Sequence, residues 1–532
     1  MAYTSSLVPP FWLLVLVLIS IYMMRRIVIY ARLRHFPGPL WASLSNWPYT
    51  RQVARHEEHA WVAKLNATHG LLARAGPNLL VTSSPELWQH VNNKPGYRRA
   101  DWYYHAARVE YGRDNVFTET DNGIHGARRR HIAPGYSGRD NEQLEEAVDE
   151  HVGQLVSLIR TRYLSTAEGV KPLNLGQKLQ YTTFDIIGHV GLGAHFDLLA
   201  TDSDPYEFVR SSEEGLLDAS KAYAYGYWRL ASLPYVGRFM MPSTSDTKGF
   251  GRLTATVYAR VDERWNDPDG KPADMVKSWM RHGLSRDELR SEAIEQVVAG
   301  SETTSTALRA AMLHLATNAR VAAALRREID LAVAEGRAPS HGVISLAQTR
   351  KLPYLQAVMR EVLRIWPPAT NMFPRVVPPG GDTVQVAGTS HYLPAGTCVG
   401  YSAWAMHHST DNYGPDAAIF RPERWFEPDE SRLAAMVRIN ELVFGHGRFS
   451  CLGKSLAKIE LPKIIFELMR HFDIALLRPT APDVWKYRNC IGVFVIDSLW
   501  VQVTERTPLP LELEEKAAEM HKTGHVSDML AS

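Results

Sequence analysis

The chain has 532 residues, beyond the length that one ordinary core serves, so several domains or one large helical fold is expected. Its 45% hydrophobic and 22% charged content is that of a folded globular protein, and 59 basic against 57 acidic residues exclude a nucleic-acid binder relying on bulk charge. Three cysteines, Cys398, Cys451 and Cys490, are too few and too scattered for a disulfide framework, and no CxxC or paired-histidine spacing suggests zinc.

From Leu7 to Met24 eighteen residues pass without a charge. At 1.5 Å per residue they make about 27 Å of helix, enough to cross a thin bilayer such as that of the endoplasmic reticulum. No basic residue precedes the run, whereas Arg25, Arg26, Arg32 and Arg34 follow it, so the positive-inside rule places the rest of the chain in the cytosol. A cleaved signal peptide would want a basic start, a shorter apolar core and a small-residue cleavage site. The expectation is a single-pass endoplasmic-reticulum anchor over 1–34, a cytosolic body over 35–508 and a polar tail over 509–532. With that topology the sequon Asn66-Ala67-Thr68 goes unused.

The stretch FPGP, Phe36 to Pro39, punctuates anchor and body. A mixed region follows with short β-like pieces such as Asn78 to Thr82, then a mostly helical pattern from about Asn141 to Thr349 with loops at Asn266 to Ala273 and around Pro339. The clearest helix is central. Ser285 with Glu288 reads as a capping box and Leu284 with Leu289 as its hydrophobic staple. Apolar or small residues then recur at helical spacing from Leu289 to Ala311, predicting a helix to about Ala316. After Arg364 the chain turns irregular and proline-rich, and it returns to one helix after Cys451.

Inside the central helix stands AGSETTS, Ala299 to Ser305. Serine and threonine hydroxyls compete for carbonyls one turn back, so a local bulge is expected there. Glu361 and Arg364 lie three apart on one helical face, and Arg424 sits in the proline-punctuated FRPERW. Cys451 follows a glycine-rich loop and precedes a helix, a setting in which backbone amides and the positive helix end lower a thiol pKa. Gly445, Gly447 and Gly453 let backbone approach something flat and bulky.

FGHGRFSCLG resembles the cysteine-ligand loop of the cytochrome P-450 superfamily, F-x-x-G-x-R-x-C-x-G, with Phe444, Gly447, Cys451 and Gly453 matching. Phe449 stands two before the cysteine where a basic residue is usual, and Arg448 is displaced one place earlier. AGSETT resembles the oxygen-activation motif, which puts Glu302 and Thr303 in the acid and alcohol positions. Glu361, Arg364 and Arg424 resemble the E-x-x-R-plus-arginine triad. His125 and Arg129 occupy the W-x-x-x-R positions with histidine for tryptophan, and Arg375 falls where a propionate-binding arginine is usual. The wording of YLQAVMREVLRIWPP, PRVVPPGG and FRPERWF is most similar to fungal members of the pisatin-demethylase-like group.

The resemblance implies a mainly α fold, the P-450 helical prism with small β-sheets, and a haem b cofactor with Cys451 as axial thiolate. Phe444, Gly445, Arg448, Gly453 and Ala299 would line the haem, and His125, Arg129 and Arg375 would neutralise its propionates. Thr303, with Glu302 behind it, would deliver protons to dioxygen. Electrons would come from NADPH through a membrane-bound P-450 reductase, with cytochrome b5 open as a second donor. Arg128, Arg130, Lys454 and Lys458 would form the basic docking patch. The substrate would be an apolar small molecule touching Trp102 to Val116, Tyr223 to Trp228, Val298, Ala299, Asn371 to Phe373 and Ile491 to Phe494. The implied role is secondary-metabolite biosynthesis. A detoxifying monooxygenase of a plant defence compound, a haem-thiolate isomerase or dehydratase, and a non-catalytic haem protein stay open beside it.

Overall fold

The computed structural model describes residues 11–268, 273–479 and 485–507, and within them the chain is mainly helical with four small sheets. The expected tail 509–532 and the first residues of the expected anchor lie outside the described residues.

Helix α1, Phe11–Arg32, buries none of its residues, and its apolar window has a mean hydropathy of 2.1. Its 22 residues make it long enough and apolar enough to cross a membrane. The sequon residue Asn66 is buried, its amide donating to the Gly70 carbonyl at 2.9 Å.

The body is framed by α2 (Asn122–Tyr136), α3 (Leu144–Leu158), α4 (Leu175–Leu192), α5 (Gly249–Asn266), α6 (Arg286–Thr317), α7 (Pro353–Ile365) and α8 (Lys454–His471). Helix α6 starts as its sequence dictates. Ser285 Oγ accepts from the Glu288 amide, and the Glu288 carboxylate accepts from the Ser285 amide, while Leu284 and Leu289 are both buried. It then runs unbroken for 32 residues and packs against α4, α5, α7 and α8 in one large apolar core. The bulge expected at AGSETTS is absent. Ser301 Oγ donates to the Val297 carbonyl (2.7 Å) and Thr303 Oγ1 to the Ala299 carbonyl (2.9 Å), and the stretch stays α-helical. The hydroxyls share the second lone pair of carbonyls already in the ladder, which leaves the turn intact.

The largest sheet joins β1 (Leu72–Gly76), β2 (Leu79–Thr82), β3 (Arg98–Arg99), β4 (Arg375–Val376) and β5 (Cys398–Tyr401) in the order β1-β2-β5-β4-β3, with only β2 and β5 parallel. In the β3–β4 pair Arg99 lies directly opposite Arg375. Like charges at that spacing repel, so this register needs compensation from elsewhere.

The ion-pair triad forms as expected and is wholly buried. Arg364 Nη2 reaches Glu361 Oε1 at 2.6 Å and Arg424 Nε reaches the same oxygen at 3.0 Å. The Trp425 indole and the Arg421 amide complete the carboxylate's partners at 3.1 and 2.9 Å, and the carbonyls of His407, Ala417 and Ile419 take the remaining Arg364 donors. This network ties α7 to the segment leading toward the cysteine loop. Removing one member leaves buried charge unpaired, at a cost of about 3–5 kcal/mol. Glu361→Ala is expected to lose that much stability in denaturant unfolding and to yield little folded protein; an unfolding midpoint equal to the parent's refutes a structural role for the triad.

Candidate functional site

The segment Phe444 to Gly453 folds into a tight loop at the start of α8. The Cys451 amide donates to the Phe444 carbonyl at 2.7 Å and the Ser450 amide to the Gly447 carbonyl at 3.1 Å. Gly445 and Gly447 take φ of 73° and 59°, the left-handed region, and a Cβ on Gly447 would meet Asn93 Oδ1 at 2.6 Å. These two glycines therefore serve the loop's own path. Gly453 has an ordinary φ of −75°, and the nearest atom to a Cβ there would be Cys451 Sγ at 3.8 Å, so it is the one of the three that leaves room beside the sulfur.

Cys451 is at once exposed and surrounded. Its side chain borders open space, yet enough protein lies around it for burial to dominate its titration. Burial pushes the thiol up, opposed by the amides of Gly453 and Lys454 and by the Arg129 cation. The net direction is upward, contrary to the lowering expected from the helix end, because desolvation of the thiolate outweighs the amide dipoles. A metal bound at the sulfur would reverse the balance, since a coordinating thiol is deprotonated outright.

Near Cys451 three arginines stand without a carboxylate partner among the described residues. Arg99 and Arg375 are 6% and 3% exposed, and Arg129 comes from α2. Arg99 donates to the carbonyls of Val116 and Glu119 (2.5 and 3.1 Å), Arg375 to Asn92 Oδ1 (3.1 Å), the Phe373 carbonyl (2.6 Å) and the Tyr104 hydroxyl, and Arg129 to Ser450 Oγ (3.1 Å). Among the described residues none of the three has a carboxylate within ion-pair distance. The Phe449 ring lies between Arg375 and Arg99, 4.2 and 5.0 Å from their guanidinium carbons. Phe449 thus steadies the arginines by cation–π contact where a basic residue would have added to their repulsion. His125 Nε2 is buried with no partner, and burial, with Arg99, Arg129 and Arg375 close by, pushes the imidazole down to about 3. With no anion beside it, His125 is thus held neutral by burial and by these arginines. Arg448 approaches the same Phe449 ring more loosely, at 5.7 Å, and its guanidinium donates to the carbonyls of Asn93 and Lys94, both at 3.2 Å. Arg99 was not singled out in the sequence, because a two-residue strand leaves no periodicity to read. Buried cations without anions fit a flat group that brings two carboxylates and a thiolate-binding metal to this place.

On α6, Glu295, Ala299 and Thr303 follow at intervals of four and share one face. Ala299 is exposed and Glu295 and Thr303 are half-buried, whereas Ser301, Glu302, Thr304 and Ser305 are buried. An exposed alanine in mid-helix, flanked by core positions, marks open space along that face. Glu302 points elsewhere: its Oε1 accepts from Gln180 Nε2 at 3.0 Å, Arg309 binds the same glutamine, and burial holds the carboxyl above its usual range. Glu295 is a second acid that sequence reasoning passed over, bonded to Asn115 at 3.2 Å and pushed up to about 7 by burial.

The expected substrate contacts come together in part. Trp102, Tyr103, Tyr104, Phe117, Tyr223 and Phe373 form one aromatic cluster, with Trp102 stacked on Tyr223 at 5.8 Å. Phe373 and Ile491 hold φ of 44° and 52°, strained for non-glycine residues, as is common where a pocket is shaped. Phe494 departs from the expectation, its ring packing against His59 and Trp366 at 5.1 and 5.0 Å. The expected basic patch is reduced. Lys454 and Lys458 both pair with Glu441 (2.5 and 2.9 Å), and Arg128 turns inward to Glu292 at 3.5 Å, leaving Arg130 exposed.

These features align with known proteins. The sequence profile of the family described as Cytochrome P450 matches residues 36–494. The chain is 35% identical over 507 residues to the cytochrome P450 monooxygenase ABA1 of Pyricularia oryzae, covering 92% of this chain and 96% of that protein. It is 35% identical to aba1 of Botryotinia fuckeliana, covering 89% and 92%, and 34% identical to abl1 of Leptosphaeria maculans, covering 87% and 82%. The open cysteine in its glycine loop, the carboxylate-free arginines and the buried triad are arranged on a chain that belongs to the cytochrome P450 family of haem-iron monooxygenases.

Proposed function

We propose that this P450 monooxygenase inserts one oxygen atom of O2 into an apolar small molecule in fungal secondary metabolism, using NADPH-derived electrons. What carries the reading is the pairing of an accessible cysteine, Cys451, with three arginines that lack carboxylate partners. Cys451 would hold the iron of haem b through its sulfur, with Phe444, Gly445, Gly453 and Ala299 lining the group. Arg99, Arg129 and Arg375 would bind the propionates, and His125 would add a neutral hydrogen bond. When bound, the haem supplies the activation of dioxygen, its thiolate ligand favouring O–O cleavage. Thr303 would hold and pass a proton at the open face of α6. The aromatic cluster around Tyr103 and Tyr223 would hold the substrate by apolar contact.

Helix α1 supports anchoring of segment 1–34 in the endoplasmic reticulum, with the catalytic body 35–508 in the cytosol. A P450 reductase, with cytochrome b5 as a second donor, would dock near Arg130, Lys454 and Lys458. Related P450s include mpaDE of Penicillium brevicompactum, 29% identical over 498 residues.

The reduced protein with carbon monoxide is expected to show the red-shifted Soret band of a thiolate ligand. Cys451→Ala should abolish it and Cys398→Ala and Cys490→Ala keep it; a band persisting without Cys451 sinks the ligand assignment.

Arg99→Gln removes one charge-assisted partner of the propionates, worth about 1.5–3 kcal/mol, or 10- to 100-fold in haem affinity. Haemin titration of the apoprotein measures this, and an unchanged affinity removes Arg99 from the haem site.

Thr303→Val keeps shape and deletes the hydroxyl. Haem content and substrate binding should persist, while product per NADPH falls and peroxide appears, within the factor of about 100 to 10,000 that a positioned proton donor contributes. Because Glu302 is bonded to Gln180 and not to the open face, Glu302→Gln should have the smaller effect. Equal product per NADPH in Thr303→Val and the parent takes Thr303 out of the mechanism.

A further inference from the structure

Away from Cys451, three histidines meet where α3 and α4 pack. His151 comes from the middle of α3, His189 from the last turn of α4, and His195 from the segment just beyond. One potential ligand nitrogen from each lies within 4.8 Å of the other two, and the ring centroids of His189 and His195 are 4.4 Å apart. The turn that creates this closeness is a glycine-capped helix end. Gly193 takes φ of 58°, and the amides of Gly193 and Ala194 donate back to the carbonyls of His189 and Gly188 at 3.0 and 3.1 Å. The chain therefore reverses within a few residues and returns His195 to the side of His189.

The hydrogen bonds around His151 settle which of its nitrogens is free. Gln154 Nε2 donates to Glu150 Oε1 at 3.2 Å, because a carboxylate only accepts. Gln154 must then present its carbonyl oxygen to His151 Nδ1, 3.0 Å away, so Nδ1 carries the proton. The lone pair is left on Nε2, which is buried and has no partner, in a residue only 2% exposed. His189 Nδ1 is likewise buried without a hydrogen bond, with Glu150 Oε2 3.7 Å from it. A histidine whose second nitrogen donates to a fixed acceptor, leaving an unoccupied, buried lone pair on a ring beside two further imidazoles, has the outer-shell arrangement of a metal ligand.

We propose that His151, His189 and His195 form a site for a divalent ion of the zinc class, with the neighbouring Glu150 carboxylate as fourth ligand, clamping α3 to the end of α4. Imidazole nitrogens select zinc, copper, nickel or cobalt over magnesium and calcium. Tetrahedral zinc with bonds of about 2.0–2.1 Å sets its ligand atoms about 3.3 Å apart. Closing the histidines from their present spacing therefore takes side-chain movement of roughly an ångström. The nearby Arg264 does not oppose the ion strongly, since Asp274 pairs with it at 3.0 Å. His195 also borders a surface groove of about 370 Å³ whose lining includes Glu263 and Asp267, which gives the ion a route in from solvent. Among the described residues the contacts of these histidines do not reach the cysteine loop, so the clamp is separate from oxygen chemistry.

The test uses tag-free, haem-loaded full-length protein equilibrated with buffered micromolar Zn2+, with zinc and iron measured on the same sample. The expected zinc-to-iron ratio is about one, and the zinc X-ray absorption edge should show imidazole scattering. His195→Ala, at an exposed position, should weaken zinc binding on the order of 100-fold, and Gln154→Leu, which keeps all three ligands but frees the His151 tautomer, by about 10- to 100-fold. The carbon-monoxide spectrum should be the same in all three proteins, which establishes that each is folded. A parent that stays zinc-free under these conditions, or a zinc ratio unaltered in His195→Ala, overturns the proposal.

Discussion

Three buried or half-buried arginines with no carboxylate partner among the described residues are the constraint to which this region answers. Arg99 and Arg375 oppose each other across two-residue strands, a register that repulsion alone would disfavour. Their partial compensation comes from carbonyls, an amide oxygen, a hydroxyl and the face of Phe449. The contrast with the triad is instructive. Glu361 has its two arginines, an indole and an amide, so that cluster is complete within the protein and rigidifies it. The cluster near Cys451 has no carboxylate partner among the described residues, which is what an anion-binding site, as proposed above, would show and a structural knot of the same residue types does not.

The cysteine follows the same logic. A thiol that burial pushes up is inert in the protein alone, and the amides of Gly453 and Lys454 temper this without reversing it. On the proposed reading the sulfur would become a thiolate when a metal takes the proton's place, so arginines and cysteine would both be answered by one molecule carrying carboxylates and a metal. Along α6 the open stripe of Glu295, Ala299 and Thr303 borders space of its own, while the neighbouring Glu302 is committed to Gln180. Adjacent positions on one helix thus have opposite environments, because a step of one residue turns about 100° around the axis.

The loop glycines show how local rules divide. Gly447 is required by its own backbone conformation and by Asn93 beside it, whereas Gly453 has ordinary backbone and only leaves the space next to the sulfur open. Both were visible as glycines in one motif, and only coordinates separated their reasons. The same holds for the lysines near the loop. Counted along the chain they promised a basic patch, yet one shared glutamate, Glu441, offsets half of the two lysines' charge.

What the sequence by itself determined is what rests on short-range chemistry. The capping box at Ser285, the apolar helix α1, the spacing that unites Glu361 with Arg364, and the glycine loop around Cys451 are all set by neighbours within a few residues, and all appear in the fold. Tertiary structure alone decided the rest. It brought Arg99 into the cluster through a strand too short to show a period, turned Glu302 away from the open face, committed Arg448 to the carbonyls of Asn93 and Lys94, and assembled His151 with His189 and His195 from two helices and a turn. These outcomes depend on which side of an element faces which partner. That is a matter of packing between segments tens to hundreds of residues apart, and no local pattern records it.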